Sequence, residues 1–344
     1  MKYLDFRNIN KTNFNEVLLL GDNQKLPQIS EIVSFMEFWY SDNDNIKFKT
    51  SGSTSNDKSE IVFNRAQLIA SAEKTLQYFN LSQGDKALLC LSMDYVAGKM
   101  MLVRAIVGKL KLYIVEPSTS VWSEVDEKLD FAAMVPMQLK KMPFNANEFI
   151  NTLLIGGAPL SKSMELKLKE ASINSYHSFG MTETLSHFAI RNLNHDNQYQ
   201  LLDGVKIKIE SNGRLHVCVP WICNSFMKTD DCVEMVSEKS FKWRGRFSSV
   251  INSGGIKHHP EIIENKLRPL LEGREFFISS LSCDLLGQKI VLYIEGQEQI
   301  VGLEKKMNHC LDSKEVPKLI KYIDLFNYSS SGKIMKKVTQ NKVL

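Results

Sequence analysis

Apolar and polar residues alternate along the chain in blocks that predict strands and helices in turn. Short apolar runs such as KALLCLS (86–92), KLYIVEP (111–117) and FAAMVP (131–136) have the length of buried strands. Between such runs, apolar residues recur at helical spacing, as in NRAQLIASAEKTLQYFNL (64–81), where Asn64 is the expected N-cap. Strands alternating with helices predict a mainly parallel sheet in an α/β domain.

The pattern changes after residue 200. Period-two alternation in DGVKIKIESNGRLHVCVP (203–220), around Asn212 and Gly213, predicts a β-hairpin. The last hundred residues read as a smaller α+β unit. We therefore expect two domains, an α/β domain with β-hairpin additions over 1–246 and a small α+β domain over 247–344.

Composition narrows the class of protein. The 344 residues carry 43 Lys and Arg against 39 Asp and Glu, and a net charge of +4 is too weak to indicate nucleic acid or an anionic membrane as a partner. No apolar run approaches the ~20 residues of a membrane span, and the first residues show no secretory signal. Six scattered cysteines without a CxxC pair favour reduced thiols, so we expect a cytoplasmic protein with no integral membrane segment.

Two glycine-containing loops next to predicted strands are candidate ligand-binding segments. FKTSGSTSNDKSEI (48–61) combines glycine, hydroxyl side chains and a lysine, which together can wrap a polyphosphate; a flexible linker is the alternative, since the G-x-x-x-x-G-K-[ST] spacing is absent. LLIGGAPLS (153–161) places two glycines at the carboxyl edge of the predicted sheet, where α/β proteins bind ligands; a tight strand–helix turn is the alternative.

Two acidic segments offer oxygen ligands. SFGMTETLSH (178–187) contains Thr182 and Glu183, and a carboxylate beside phosphates suits Mg²⁺; a helix-capping turn is the alternative. KTDDCVE (228–234) contains Asp231, whose carboxylate can accept ribose hydroxyls; an Asp–Asp turn is the alternative. Two basic segments follow, WRGRFSSVINSGGIKHHPEIIE (243–264) and SSSGKIMKK (329–337), each of which also suits an ordinary surface loop.

Together and in this order, these segments resemble the adenylate-forming superfamily of acyl- and aryl-CoA synthetases, peptide-synthetase adenylation domains and luciferases. That pattern runs through TSGSTGxPK, GGAPL, YGMTE, TGD, GRxDxxIxSGGxKxxPxEIE and a late GK. The counterparts here are 50–58, 156–160, 179–183, 229–231, 245–264 and 332–333. The resemblance covers residues 48–337 and implies a large adenylation domain followed by a small mobile lid domain.

The resemblance also implies a chemistry. A carboxylate attacks the α-phosphate of ATP, giving acyl-AMP and pyrophosphate, and the thiol of coenzyme A then displaces AMP. Thr182 would contact the α-phosphate, Glu183 would hold Mg²⁺, and Lys333 would stabilise charge in the first step only. The remaining implied ATP and AMP contacts are Thr50, Ser51, Gly52, Ser53, Thr54, Lys58, Gly157, Ser178, Phe179, Gly180, Asp231 and Arg246. Ser253, Gly254 and Gly255 would line the coenzyme A channel, and Ser248 would occupy the hinge.

Within the superfamily, SFGMTETLSH and AGKMMLVRAIVGKLKLYIV (97–115) resemble the o-succinylbenzoate–CoA ligases of menaquinone biosynthesis. By position, Arg104 and Ser186 would contact the acid, and Arg104 would pair with the carboxylate of an aryl dicarboxylic acid that is not activated. The alternative for Arg104 is an exposed helix charge. The alternatives for the protein are another aryl- or acyl-CoA ligase, a non-catalytic nucleotide binder, and a structural or partner-binding protein.

Four positions depart from the superfamily pattern. Ser55 and Asp57 replace Gly and Pro in the phosphate loop, Asp230 replaces the Gly of TGD, and Ser248 replaces the hinge Asp. The phosphate loop also begins at residue 50, so the resemblance implies a shortened N-terminal region. The sequence leaves the oligomeric state open, with a homodimer among the options.

Overall fold

The computed structural model describes residues 2–19, 21–49, 60–271, 273–328 and 334–341. They form two compact units. The first comprises Met1–Ile207, Val217–Met227 and Val236–Phe241, and the second comprises Lys208–His216, Lys228–Met235 and Lys242–Leu344. The boundary expected at residue 246 stays a prediction.

A large mixed sheet with a parallel centre dominates the first unit. Its strands lie in the order β1-β5-β4-β6-β7-β8-β9-β10, and β10 pairs with Ser240 and Phe241 of β14. The elements up to β10 are β1 (Lys2–Asp5), α1 (Phe14–Leu19), α2 (Ile29–Tyr40), β2 (Asn45–Lys49), β3 (Glu60–Asn64), α3 (Arg65–Tyr78), β4 (Lys86–Leu89), α4 (Val96–Gly108), β5 (Lys111–Ile114), β6 (Leu129–Met134), α5 (Ala146–Phe149), β7 (Ile150–Ile155), α6 (Lys162–Glu170), β8 (Asn174–Gly180), β9 (His187–Asn192) and β10 (Tyr199–Leu201). Short 3-10 helices form at Gly21–Lys25, Val121–Glu124, Pro136–Lys141 and Thr182–Thr184.

Strands β4 to β8 are parallel to one another. Strand β1 pairs antiparallel with β5, and β9 pairs antiparallel with β8. Alternate residues of the parallel strands enter different cores: Ala87 and Leu89 lie in one hydrophobic cluster, Leu88 and Cys90 in another. A sheet covered on both faces needs apolar residues at every position, which explains why these strands read as continuous apolar runs. The predicted α/β fold is confirmed, and the sheet is parallel at its centre, β4 to β8, and antiparallel toward both ends.

Local sequence features determine the start of helix α3 and the close packing of helix α4 beside this sheet. The Asn64 side chain accepts from the Gln67 backbone N–H, and the Gln67 side chain accepts from the Asn64 N–H, so α3 begins with a reciprocal capping box, as its sequence predicts. In α4, an added Cβ at Gly98 would lie 2.2 Å from the Ser92 carbonyl oxygen. Glycine there lets α4, which carries Arg104, approach the segment after β4 closely.

Strands β11 (Lys206–Ile209), β12 (Arg214–Cys218), β13 (Met227–Ser237) and β14 (Ser240–Arg246) each contain residues of both units. The turn between β11 and β12 contains Gly213 at φ +89°, which confirms the hairpin predicted around Asn212 and Gly213.

The second unit contains a five-stranded sheet, ordered β16-β15-β18-β17 with β19 parallel to β18. Residues of α7 and α8 join the sheet in one hydrophobic core that includes Ile263, Leu292 and Met307. Its remaining elements are β15 (Ile251–Ser253), β16 (Ile256–His258), α7 (Pro260–Leu267), β17 (Phe276–Cys283), β18 (Gly287–Glu295), α8 (Leu303–Cys310), β19 (Leu319–Ile323) and α9 (Lys336–Gln340), with 3-10 helices at Phe247–Ser249 and Arg268–Leu270.

Candidate active site

Among the described residues of the first unit, those expected to bind the nucleotide lie at the carboxyl ends of parallel strands. Gly156 and Gly157 follow β7, and Ser178 to Gly180 end the neighbouring strand β8. Loops at this edge of an α/β sheet form the usual ligand crevice.

Gly156 and Gly157 are glycines for different reasons. Gly157 has φ +81°, a conformation that side chains disfavour. An added Cβ at Gly156 would lie 2.4 Å from Ser178 Oγ, which donates a hydrogen bond of 3.1 Å to the Ile155 carbonyl. Gly156 therefore leaves room for the Ser178 side chain to pack against the end of β7, and Gly157 allows the turn that follows.

His177 fixes this loop and was not foreseen from the sequence. Its Nε2 lies 3.0 Å from the Ala158 carbonyl oxygen, which can only accept, so Nε2 donates and Nδ1 accepts from the Tyr199 hydroxyl at 2.7 Å. Burial lowers the pKa of His177 to about 4, which keeps the ring neutral. Phe179 packs its ring against Tyr199 at 5.0 Å, so the segment after β7 and the end of β8 form one packed group.

The 3-10 turn after β8 places two of the expected residues. Its capping hydrogen bonds, among the described residues, fall on Thr184: Met181 N donates to Thr184 Oγ1 at 3.0 Å, and that hydroxyl contacts the Ser186 carbonyl oxygen at 2.7 Å. Thr182 and Glu183 are therefore the first two residues of a capped 3-10 turn, as the alternative for this segment expects, and Thr184 makes the capping hydrogen bonds. Glu183 is exposed, as a carboxylate that meets a soluble Mg²⁺–nucleotide must be.

Leu185, the next residue, has a strained backbone. Its φ is 61° and ψ −35°, and Ser186 N donates to the Thr184 carbonyl at 2.7 Å, which is the hydrogen bond of a γ-turn with positive φ. Leucine rarely adopts this backbone conformation, and it persists where the surrounding structure enforces it. The Leu185 side chain is fully buried in the first core, so packing holds the turn that presents Ser186.

Arg104, on α4, is buried beside Ser186, and the exposed-charge alternative is wrong. It is only 3% exposed; Nη2 donates to Ser186 Oγ at 2.9 Å, and Nη1 contacts the Met101 sulfur at 3.4 Å. Its Nε is buried and has no hydrogen-bond partner within the described residues. Burial lowers its pKa to about 10, so the guanidinium stays charged at neutral pH. Within the described part of the chain no carboxylate pairs with it.

Two further residues extend this group, and neither was foreseen. His187 is buried, with Nδ1 3.2 Å from Ser186 Oγ and Nε2 3.4 Å from Thr75 Oγ1. His187 lies next to Ser186 in SFGMTETLSH, a segment already identified from the sequence, and this position was the sequence signal available for His187. Thr75 lies on α3, far along the chain, and nothing in its sequence context marks it. We call Arg104, Ser186, His187 and Thr75 the Arg104 network.

In the second unit, Asp231 is buried and held on one oxygen. Trp243 Nε1 donates to Asp231 Oδ1 at 2.8 Å, and Arg246 Nε lies 3.4 Å from the same oxygen. Burial raises the pKa of Asp231, while Arg246 and Trp243 oppose that rise. Because the described contacts of this carboxylate fall on Oδ1, Oδ2 is the oxygen left for a ligand.

Asp230 and Ser248, two of the positions that depart from the superfamily pattern, contact each other. Ser248 donates to the Asp230 carboxylate twice, from its N–H at 3.1 Å and from its hydroxyl at 2.6 Å. A carboxylate from position 230, on β13, thus contacts position 248, where the superfamily pattern has a carboxylate of its own.

Ser253, Gly254 and Gly255 lie at the turn that joins β15 to β16. Gly254 and Gly255 have φ +60° and +78°, the signs required by a two-residue type I′ hairpin turn. Gly254 N donates to the Leu286 carbonyl at 2.9 Å, which ties the turn to the segment before β18.

Several expected residues lie outside the described ones: Thr50, Ser51, Gly52, Ser53, Thr54, Ser55, Asp57, Lys58 and Lys333. The strands that flank the first group, β2 and β3, pair antiparallel up to Lys49 and Glu60. Near Lys333, Tyr328 and Ile334 form an antiparallel bridge. In the described ranges no group of three or more His, Cys, Asp or Glu side chains could hold a metal ion by itself. No helix among the described elements has the length and apolar character needed to cross a membrane.

Comparison with known proteins identifies the family. The family model described as AMP-binding enzyme matches residues 48–219, half of the chain. A curated 2-succinylbenzoate–CoA ligase of Staphylococcus epidermidis is 23% identical over 80% of this chain and 65% of its own length. A second, from Lactococcus lactis, is 22% identical over 74% of this chain and 61% of its own length. The chain thus spans less than two thirds of these curated relatives.

Solved structures agree on the fold. An acyl-CoA synthetase (AMP-forming)/AMP-acid ligase II-like protein from Dyadobacter fermentans is 32% identical, with a TM-score of 0.61 over 92% of this chain and 95% of that one. The o-succinylbenzoate coenzyme A synthetase of Bacillus subtilis, solved with ATP and magnesium, is 19% identical, with a TM-score of 0.75 over 86% of this chain and 69% of that one. On the matched family model, the shared fold and the order of its motifs, this chain belongs to the AMP-binding enzymes of the adenylate-forming superfamily.

Proposed function

We propose that this protein is an AMP-forming acid–thiol ligase that converts an aryl dicarboxylic acid to its coenzyme A thioester, with o-succinylbenzoate as the acid. The product, o-succinylbenzoyl-CoA, would serve menaquinone biosynthesis. The curated relatives named 2-succinylbenzoate–CoA ligases support this choice of acid, although their identity to this chain is low.

The observation that carries the choice of acid is the buried, uncompensated guanidinium of Arg104. A charge this deeply buried is unfavourable unless it is paired, and the described residues offer only a hydroxyl and a thioether. A carboxylate matches the planar guanidinium and has acceptor oxygens only. A dicarboxylic acid supplies it, because one carboxyl group remains free while the other is activated.

The nucleotide is proposed to contact the first unit at the carboxyl ends of β7 and β8. Gly157, Ser178, Phe179 and Gly180 would line the adenine site, where Gly156 lets the Ser178 side chain approach the end of β7. Thr182 would contact the α-phosphate. The exposed carboxylate of Glu183 suits Mg²⁺, which commonly binds one or two protein carboxylates together with substrate phosphates. When bound, Mg²⁺ supplies positive charge to the phosphates.

The remaining roles follow the same proposal. Asp231, with its Oδ2 free, and Arg246 would contact the ribose. The segment Thr50–Lys58 would hold the β- and γ-phosphates, and Lys333 would stabilise the charge that develops between the carboxylate and the α-phosphate. The Ser253–Gly255 turn would line the channel of coenzyme A, and Ser248 would lie at the hinge of the lid.

The experiment is a pyrophosphate-release screen of the purified protein with ATP and Mg²⁺ across aryl monocarboxylic and dicarboxylic acids, with and without coenzyme A. We expect release that depends on o-succinylbenzoate, and thioester only when coenzyme A is present. Turnover of a different acid would overturn the substrate while keeping the class. ATP binding without release for any acid would instead identify a non-catalytic nucleotide binder.

The variant Arg104→Met tests the observation behind the proposal. We expect release with o-succinylbenzoate to fall by about 10²-fold or more, since the carboxylate would lose its charged partner. The ligand-free variant should unfold at the same or a higher temperature, because an unpaired buried charge is removed. Arg7→Met, at an exposed residue paired with Asp5, is the matched control and should leave release unchanged. Retained use of the acid by Arg104→Met would contradict the assignment.

A further inference from the structure

The Arg104 network is a connected series of hydrogen bonds whose donors and acceptors can be assigned. Four side chains from three elements and one loop connect the guanidinium to the backbone of α3, and each hydrogen bond in the series has a direction. Those directions follow from the number of hydrogen atoms that each group carries.

The series starts at the Ser71 carbonyl, which can only accept. Thr75 Oγ1 donates its one hydrogen to that carbonyl at 3.3 Å. Toward His187 Nε2, at 3.4 Å, the same oxygen must therefore accept, so Nε2 carries a hydrogen.

The rest of the network follows from the charge of His187. Burial and the nearby Arg104 charge lower its pKa to about 3, so the ring is neutral near pH 7 and has one N–H, on Nε2. Nδ1 is then an acceptor, and Ser186 Oγ, at 3.2 Å, donates to it. Ser186 Oγ has committed its hydrogen, and its lone pairs face Arg104 Nη2 at 2.9 Å.

This order decides which chemical group Arg104 can bind. With the Ser186 hydrogen committed to His187, an incoming group meets guanidinium N–H donors, among them the buried Nε that has no partner in the described residues. A carboxylate satisfies such donors. An analogue without this carboxylate would leave the buried charge unpaired, and unpaired polar groups are a strong basis for rejecting a substrate.

We propose that His187 and Thr75 are positioning residues that orient Arg104 through Ser186 and thereby make the enzyme selective for acids with a second, free carboxylate. This inference rests on the proposed function, which supplies the acid. Neither residue is required to touch the substrate, and both act through the direction of the hydrogen bonds.

The kinetic test uses Thr75→Val, which keeps the side-chain shape and removes the hydroxyl, with Thr75→Ser as the control that retains it. Pyrophosphate release is measured with o-succinylbenzoate and with 3-benzoylpropionate, which lacks the ring carboxylate. In Thr75→Val we expect the KM for o-succinylbenzoate to rise about three- to tenfold, with the KM for ATP and the use of the monoacid unchanged. Thr75→Ser should restore the wild-type preference. An unchanged preference, or an equal rise in every KM, would overturn the inference while the proposed function stands.

A second measurement needs no turnover. The ¹⁵N shifts of the histidine rings report which nitrogen carries the hydrogen, and the signal of His187, one of seven histidines, is assigned by its loss in His187→Gln. We expect a hydrogen on Nε2 and none on Nδ1 in the wild type, with the Nε2 resonance shifted in Thr75→Val. A hydrogen on Nδ1 would overturn the network. The expected tautomer, combined with no release from any dicarboxylic acid, would overturn the proposed function and the selectivity drawn from it.

Discussion

Three titratable side chains at the candidate site are buried. Burial disfavours the charged form of Arg104, His177 and His187, and it lowers their pKa values to about 10, 4 and 3. For Arg104, a fall from 12.5 to about 10 corresponds to about 3 kcal/mol of unfavourable burial. A bound anion offsets the unfavourable free energy of burying this charge, which is the role proposed for the free carboxylate of the acid.

His177 gives a pH dependence whose sign can be stated. In the unfolded chain His177 binds a proton near its ordinary pKa of 6.5, whereas in the fold it does so only near 4. The unfolded state therefore binds more protons between these values, and the free energy of unfolding should fall as the pH drops from 6.5 toward 4. The contribution is at most about 3 kcal/mol.

Urea unfolding of wild type and His177→Gln at about pH 7 and about pH 4.5 measures it. Glutamine can still donate to the Ala158 carbonyl but does not titrate, so the variant should lose less stability on acidification than the wild type. Equal losses would show that His177 titrates normally in the fold.

The sequence could identify some of these residues and not others. Arg104 was identified by its position in a segment that resembles the o-succinylbenzoate–CoA ligases, and its apolar neighbours Leu102, Val103, Ala105 and Ile106 argued against an exposed charge. His177 and Thr75 carry no comparable signal, because their roles depend on partners that are distant in sequence, Ala158 and His187. Spacing along one segment does not encode contacts made across the sheet.

At the scale of elements, local patterns predicted what local interactions determine. The capping box fixes the start of α3, and continuous apolar runs fix the parallel strands, so both were predictable. The segment after β6 forms only the short 3-10 helix Pro136–Lys141, with Leu139 buried in the second core. Tertiary packing decided its length, which propensity alone does not set.

The contact between Asp230 on β13 and Ser248 in the next 3-10 turn gives the prediction at this scale. Asp230→Ala and Ser248→Ala remove the same hydroxyl–carboxylate hydrogen bond, so their effects on the free energy of unfolding should not add. We expect each to destabilise by about 0.5–1.5 kcal/mol, with a coupling of about 0.5–1 kcal/mol.

A double-mutant cycle by urea unfolding measures the coupling. Asp230→Asn is the control, since its amide oxygen can still accept from Ser248 and should preserve most of it. Additive effects would mean that the two departures from the superfamily pattern are independent and that Asp230 does not take over the role of the hinge carboxylate.

At the scale of the whole molecule, the proposed reaction runs in two steps on one chain, and only the first is expected to need Lys333. Lys333→Ala should lower acid-dependent pyrophosphate release by about 10²- to 10³-fold, because a positive charge that stabilises the transition state is lost. Formation of thioester from supplied acyl-adenylate and coenzyme A should continue near the wild-type rate.

Measuring both half-reactions on the same preparation separates the two effects, and Lys337→Ala, at a neighbouring lysine on α9 without a proposed role, is the control. A matching loss in the second half-reaction would mean that Lys333 acts throughout or supports the fold. The restriction of Lys333 to the first step is implied by the resemblance of the sequence to the superfamily. Lys333 itself lies outside the described residues.

The strained turn at Leu185 has a consequence for how substrate preference can change over evolutionary time. Its backbone conformation is held by a fully buried side chain, and the residue that follows it presents the hydroxyl beside Arg104. The position of that hydroxyl is thus set by the packing of the core beneath it. Substitutions at core residues around Leu185 can therefore change which acid is selected while every proposed binding residue stays the same.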